Sequence, residues 1–91
     1  MNLKKDIYNI TITSKADNYL KRLGKNDLET IIEAIKEIPN NPFKYKTLHG
    51  NFKGARRLRK GKFRVVFYVN KNSIPPEIRI FEIGLRKNIY K

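Results

Sequence analysis

The sequence predicts an α+β domain of order β-α-α-β-β-β, with a helical hairpin packed on one face of an antiparallel sheet. Two observations carry this. Apolar residues recur at helical spacing only between residues 16 and 38, whereas alternating or strand-type runs occur once before that region and three times after it. Turn signals at Gly24, "PNNP", "KGK" and "NKNSIPP" separate the segments.

Tyr8, Ile10 and Ile12 alternate with Asn9 and Thr11, the period of a first strand with one buried face. Ser14 has the chemistry of a helix N-cap. Ala16, Tyr19, Leu20 and Leu23 follow at helical spacing, and Gly24 stands where a left-handed C-terminal residue is wanted. Asn26 with Glu29 resembles a capping box, and Leu28, Ile31, Ile32, Ile35 and Ile38 mark one apolar stripe that Pro39 ends. A connection of about three residues makes these helices an antiparallel hairpin. Residues 55–59 and 63–69 then read as strands joined by "KGK", and residues 77–83 as a last strand. The "NKNSIPP" connection cannot lie inside a sheet.

The chain has 91 residues, which predicts one domain over 1–91 with a small core. It has no cysteine, so disulfides and thiolate metal sites are excluded. The opening "MNLKKDIYNITIT" has a Lys pair but no long apolar stretch, so neither a signal peptide nor a membrane span is expected, and a cytoplasmic protein is the simplest reading. Net charge is +13 and one-sided: residues 1–42 carry seven Lys/Arg against six Asp/Glu, and residues 43–91 fourteen against two. Such asymmetry favours a polyanionic partner, nucleic acid or an acidic protein. A basic membrane-surface helix is disfavoured, because the basic stretch does not repeat at helical spacing.

Strand parity sharpens the basic stretch "GARRLRKGKFRVVFYV" at residues 54–69. Arg57 and Arg59 share one side with Leu58 opposite, and Arg64 shares a side with Val66 and Tyr68. If Leu58 faces the helices, Arg57 and Arg59 face outward. A solvated sheet face is the bland alternative for any charge run. His49, the one histidine, precedes Gly50 in a loop without a motif companion and is read as a loop residue rather than a catalyst. The apolar helix stripes are read as core.

The run "LRKGKFRVV" at 58–66 fits Leu-Arg-x-Gly-x-aromatic-Arg-Val. With "TLHG" before it and "GLRKNIY" at 84–90 after it, the chain resembles the RelE/ParE toxin superfamily over almost its whole length. The resemblance implies a RelE-like fold and the toxin of a microbial type II toxin-antitoxin pair. RelE-branch members cleave messenger RNA in the ribosomal A site, whereas ParE-like members act on DNA gyrase. The basic hairpin and the terminal Arg and Tyr are more similar to the RelE branch. By position, Arg57, Arg64, Arg86 and Tyr90 match its catalytic set, and Arg59 falls on a commonly basic site. The implied partners are a cognate RelB-like acidic antitoxin, the ribosome and messenger RNA.

The expected chemistry uses the RNA's own 2′-hydroxyl as nucleophile, with no cofactor and no metal. The protein must then help remove that proton, stabilise charge on the phosphorane-like transition state and assist the departing 5′-oxygen. Arginine suits the second task through its permanently charged, bidentate fork. Arg64 and Arg57 are therefore assigned to the scissile phosphate, Arg86 to completing the clamp, and Tyr90 to stacking, orientation or proton transfer. Lys53, Arg56, Arg59, Lys60 and Lys62 are assigned to the longer-range grip on RNA backbone. Arg59 could equally be a structural residue at the hairpin turn. The sequence departs from the family pattern at Leu85, where relatives often have His, and at Ala55, where some have Lys. Two rival readings stay open: a ParE-like inhibitor of gyrase, and a plain RNA-binding domain that grips phosphate without cleaving.

Overall fold

The computed structural model describes residues 7–86. Strands β1 (Asn9–Ile12), β2 (Lys46–Thr47), β3 (Arg56–Lys60), β4 (Phe63–Asn70) and β5 (Glu77–Leu85) form one sheet in the order β1-β5-β4-β3-β2. Helices α1 (Ser14–Lys21) and α2 (Lys25–Glu37) pack on one face of it. The α+β class and the element order agree with the sequence, and two features correct the picture.

First, the sheet is mixed rather than antiparallel. β1 runs parallel to β5, pairing Ile10 with Ile78 and Ile12 with Ile80, while the other neighbouring strands are antiparallel. The helical hairpin leads from β1 across to β2 at the opposite edge, and β5 arrives beside β1 only after the antiparallel run through β3 and β4. Second, a two-residue strand, β2, adds an outer rung beside β3. Two residues are too few for any period to be read.

The helix ends also differ by a residue from the sequence reading. Thr13, not Ser14, caps α1: its Oγ1 accepts from the Ala16 amide at 3.2 Å and donates to the Phe81 carbonyl at 2.9 Å. Gly24 caps the start of α2 in an extended conformation (φ −68°) instead of closing α1 in the left-handed region. Asn26 is therefore inside the helix, where its carbonyl accepts from Thr30 Oγ1. Ile38–Asn40 continue α2 as a single 3-10 turn containing Pro39.

The core lies between helices and sheet. Ala16, Leu20, Ile31, Ala34, Ile35 and Ile38 meet Leu58, Val65, Phe67, Ile78, Ile80 and Ile83. Each large buried side chain contributes about 1.5–3 kcal/mol by leaving water. Tyr45 crosses Phe67 edge-on with ring centres 5.5 Å apart, and burial, reinforced by the Glu37 carboxylate, holds its phenol pKa above the usual range. Ile10 and Ile12 face the helix side at the sheet edge yet remain 37% and 38% exposed, so the first strand is less buried than its alternation suggests.

β5 changes phase midway. Val66 pairs with Glu82 and Phe67 with Ile80, which leaves Phe81 as an extra residue. Ile78 and Ile80 face the helices before this bulge and Ile83 after it, so the parity of every following residue is reversed.

Candidate nucleic-acid interface

The face of the sheet turned away from the helices is built by β3, β4 and the end of β5. Leu58 is buried in the main core, so its neighbours Arg57 and Arg59 stand on the open face. Across β4, Arg57 pairs with Val66 and Arg59 with Arg64, and Arg64 pairs in turn with Gly84 of β5. The bulge at Phe81 brings Arg86 to this same face, since residues 82, 84 and 86 now share a side. Without the extra residue, Arg86 would fall on the helix side.

Arg64 is only 5% exposed, whereas Arg59 and Arg86 are open to solvent. A buried guanidinium keeps its charge and is poorly screened, so it acts strongly on an anion that reaches it. Gly84 places no side chain beside it on the β5 side. Arg86 is anchored to the β3–β4 turn: its amide donates to the Lys62 carbonyl at 3.0 Å, and its guanidinium donates to the Gly61 carbonyl at 3.4 Å. Gly61 takes φ 57°, the conformation that suits the first residue of a two-residue hairpin turn. Lys62, Arg64, Leu85 and Arg86 line an open depression of about 610 Å³ at this corner.

The remaining candidates are distributed differently. Arg56, expected from the sequence in the backbone grip, lies on the same side of β3 as Leu58, toward the helices. Its guanidinium donates to the carbonyls of Phe43 (3.2 Å) and Tyr45 (2.8 Å) and stacks 5.1 Å from the Phe43 ring centre. It ties the segment after α2 to β3. Lys62 pairs with Asp27 of α2 at 3.7 Å and lies over the Phe63 ring, while Lys60 ends β3 and is exposed. Lys53 is exposed after the 3-10 turn Gly50–Phe52. His49 is exposed just before that turn. Tyr90 lies outside the described residues.

Both departures from the family pattern have a structural place. Ala55 is fully buried on the open face beneath the loop around Phe52, in a second cluster with Leu48 and Val66. Leu85 faces the helices opposite Phe63 and packs against the main core. Sequence reasoning missed three contributors: the phase change at Phe81, the missing side chain at Gly84, and a cluster of Phe52, Tyr68 and Phe81 beside the arginines. The switch from Ile78 and Ile80 to Ile83 and Leu85 was the available signal for the first.

No family model matches the chain. The Methanocaldococcus jannaschii protein named "Putative toxin RelE4" is 32% identical over 89 residues, covering 93% of each chain. Among solved structures, a chain of the toxin-antitoxin complex RelBE2 of Mycobacterium tuberculosis superposes with a TM-score of 0.75 at 21% identity, covering 87% of this chain and 98% of that one. A chain of the RelE-RelB complex of Pyrococcus horikoshii gives 0.67 at 21% identity, covering 90% and 98%. The structural neighbours establish the shared fold, and the relative establishes the lineage. The chain belongs to the RelE branch of the RelE/ParE superfamily, the toxins of toxin-antitoxin systems.

Proposed function

We propose that this toxin is a ribosome-dependent endoribonuclease that cuts messenger RNA in the A site through attack by the RNA's own 2′-hydroxyl. The observation that carries this reading is the row Arg59–Arg64–Gly84 with Arg86 beside it. Like charges directly opposite on neighbouring strands cost a sheet stability, which supports a role for the row beyond the fold. It has value to a phosphate whose charge rises during reaction.

In this reading Arg64 and Arg57 bind the non-bridging oxygens of the scissile phosphate and Arg86 closes the clamp from the end of β5. Their fixed positions favour the more highly charged transition state over the ground state. Tyr90 would orient the 2′-hydroxyl or share in moving its proton. Arg59, Lys60, Lys62 and Lys53 would add backbone affinity without sequence preference. A cognate antitoxin is the expected partner, since the structural neighbours include toxin-antitoxin complexes. An acidic one would complement the second half of the chain, and action on ribosomes would place the toxin in the cytoplasm.

Translating ribosomes programmed with a defined message test this directly, with mapping of new RNA ends. Expected are A-site cuts that disappear with Arg64→Ala and Arg86→Ala. Unchanged cutting by both variants would sink the site assignment. Intact RNA together with inhibited DNA supercoiling would instead identify a gyrase inhibitor, and salt-sensitive RNA binding without any cut would identify a plain binding domain.

A further inference from the structure

The two edges of the sheet are unlike. β2 is two residues long and contains Lys46, and shortness with lysine is a usual protection of an exposed edge. β1 reads Asn-Ile-Thr-Ile, with neither charge nor proline, and among the described residues no strand lies beyond it. The Asn9 amide donates to the Pro76 carbonyl at 2.8 Å and the Thr13 amide to the Ile80 carbonyl at 3.0 Å, so residues 9, 11 and 13 turn their backbone groups toward β5. Strand alternation then turns those of Ile10 and Ile12 outward. Their side chains stay 37% and 38% exposed, and Ile7 just before them is 47% exposed.

This edge is complementary to itself. In an antiparallel pairing of two copies centred on Thr11, Ile10 of each copy takes the hydrogen-bonded place opposite Ile12 of the other, because these are the residues whose backbone groups point outward. Thr11 meets Thr11 of the second copy at the closely spaced, non-hydrogen-bonded place. The isoleucines of both copies become neighbours on the helix side and the two threonines on the open side, where Thr11 Oγ1 already donates to the Glu77 carboxylate. Packed β-branched side chains and Thr–Thr contacts both suit such cross-strand positions.

Charge selects a second copy over an acidic chain. Residues 1–42 are nearly balanced, at seven Lys/Arg against six Asp/Glu, while residues 43–91 hold the positive excess. β1 itself is uncharged, and Arg79 beside it pairs with Glu77 at 3.7 Å. An acidic strand therefore finds its complement on the arginine face rather than here. Two copies meeting at β1 bring uncharged strands together and keep their basic strands β3 and β4 on the far sides.

We propose that β1 is a self-association edge, through which two copies of this chain pair antiparallel about Thr11 into one continuous sheet with five strands from each. The two-fold axis through the Thr11 pair stands perpendicular to the sheet, since both threonines lie on the open side. Both arginine faces then look the same way.

The chain has no cysteine, so Thr11→Cys introduces a single thiol. A non-hydrogen-bonded antiparallel pair holds its Cα atoms about 4.5 Å apart, within the range a disulfide spans. Thr47→Cys places the same thiol on β2 as a control. The full chains are compared by light scattering over a range of concentrations and by non-reducing gels after mild oxidation. Expected are a wild-type mass that rises from one chain to two with concentration, and a disulfide-linked dimer as the main product of Thr11→Cys but not of Thr47→Cys. Thr11→Lys sets like charges opposite each other and should hold the chain as a monomer, and mixing it with Thr11→Glu should restore pairs. A wild type that stays one chain at every concentration, equal linking at both edges, or a dimer that Thr11→Lys leaves intact would overturn the proposal. A monomer whose residue 10 and 12 amides gain protection from hydrogen exchange only when an antitoxin is bound would assign the edge to the antitoxin and overturn it as well.

Discussion

Arg59 and Arg64 stand directly opposite one another on adjacent antiparallel strands, the first open to solvent and the second buried. Replacing the exposed partner should therefore relieve repulsion. Arg59→Thr is expected to stabilise the fold by about 0.2–1 kcal/mol in urea unfolding. The same variant should bind RNA more weakly, with a shallower salt dependence by about one unit of log–log slope. A loss of stability would show that Arg59 serves the hairpin instead.

Arg64→Lys keeps the charge and removes the planar fork. Cleavage in programmed ribosomes should fall by about 100-fold or more, because an ammonium cannot engage two phosphate oxygens in the same way. Near-normal cutting by the lysine variant would show that charge alone suffices at this position.

Arg56 should behave as the opposite case. Its hydrogen bonds to Phe43 and Tyr45 predict that Arg56→Met costs about 1–2 kcal/mol of stability while leaving the salt slope of RNA binding unchanged. Calorimetry and a salt titration on the same preparation distinguish the outcomes, and a changed slope would return Arg56 to the RNA surface.

Thr13 joins α1 to β5 through one hydroxyl. Thr13→Val removes both the cap and the bond to the Phe81 carbonyl. A loss of about 1–2 kcal/mol in denaturant unfolding is expected. Loss of less than a few tenths would mean that water replaces both bonds.

The Tyr45 phenol has its pKa raised in the folded chain, first by burial and then by Glu37. The unfolded chain therefore gives up this proton first as pH rises past about 10. Its contribution to stability is fully present below that pH and declines from there until the folded phenol also ionises. Tyr45→Phe should remove this part of the alkaline decline, read as the difference between the two proteins' unfolding curves across pH 9–12. Parallel curves would assign the decline to other groups.

Side-chain alternation made much of the site legible. Leu58 between Arg57 and Arg59 is enough to set the open face of β3, and the same rule, applied to Arg56, would have placed it on the helix side. Relations between distant segments were not legible. Nothing local to residues 9–12 says that they pair with residues 77–80, because the direction and place of β5 follow from the antiparallel succession of β2, β3 and β4 that precedes it. The two-residue β2 carries no period, and Gly24 suits the end of one helix as well as the start of the next. The shift at Phe81 was written in the isoleucine spacing, yet its meaning depends on the register with β4.

The central place of β5 has a consequence for the order of synthesis. This strand lies between β1 and β4 and carries Gly84 and the approach to Arg86, so β1 has no partner in the sheet until residues 77–80 have left the ribosome. Growing chains fold from their N-terminal side as they emerge, but here the earliest strand must wait for the latest. The arginine row is completed in the same event that closes the sheet. The arginine face of a nascent copy is thus incomplete until almost the whole described chain has been translated.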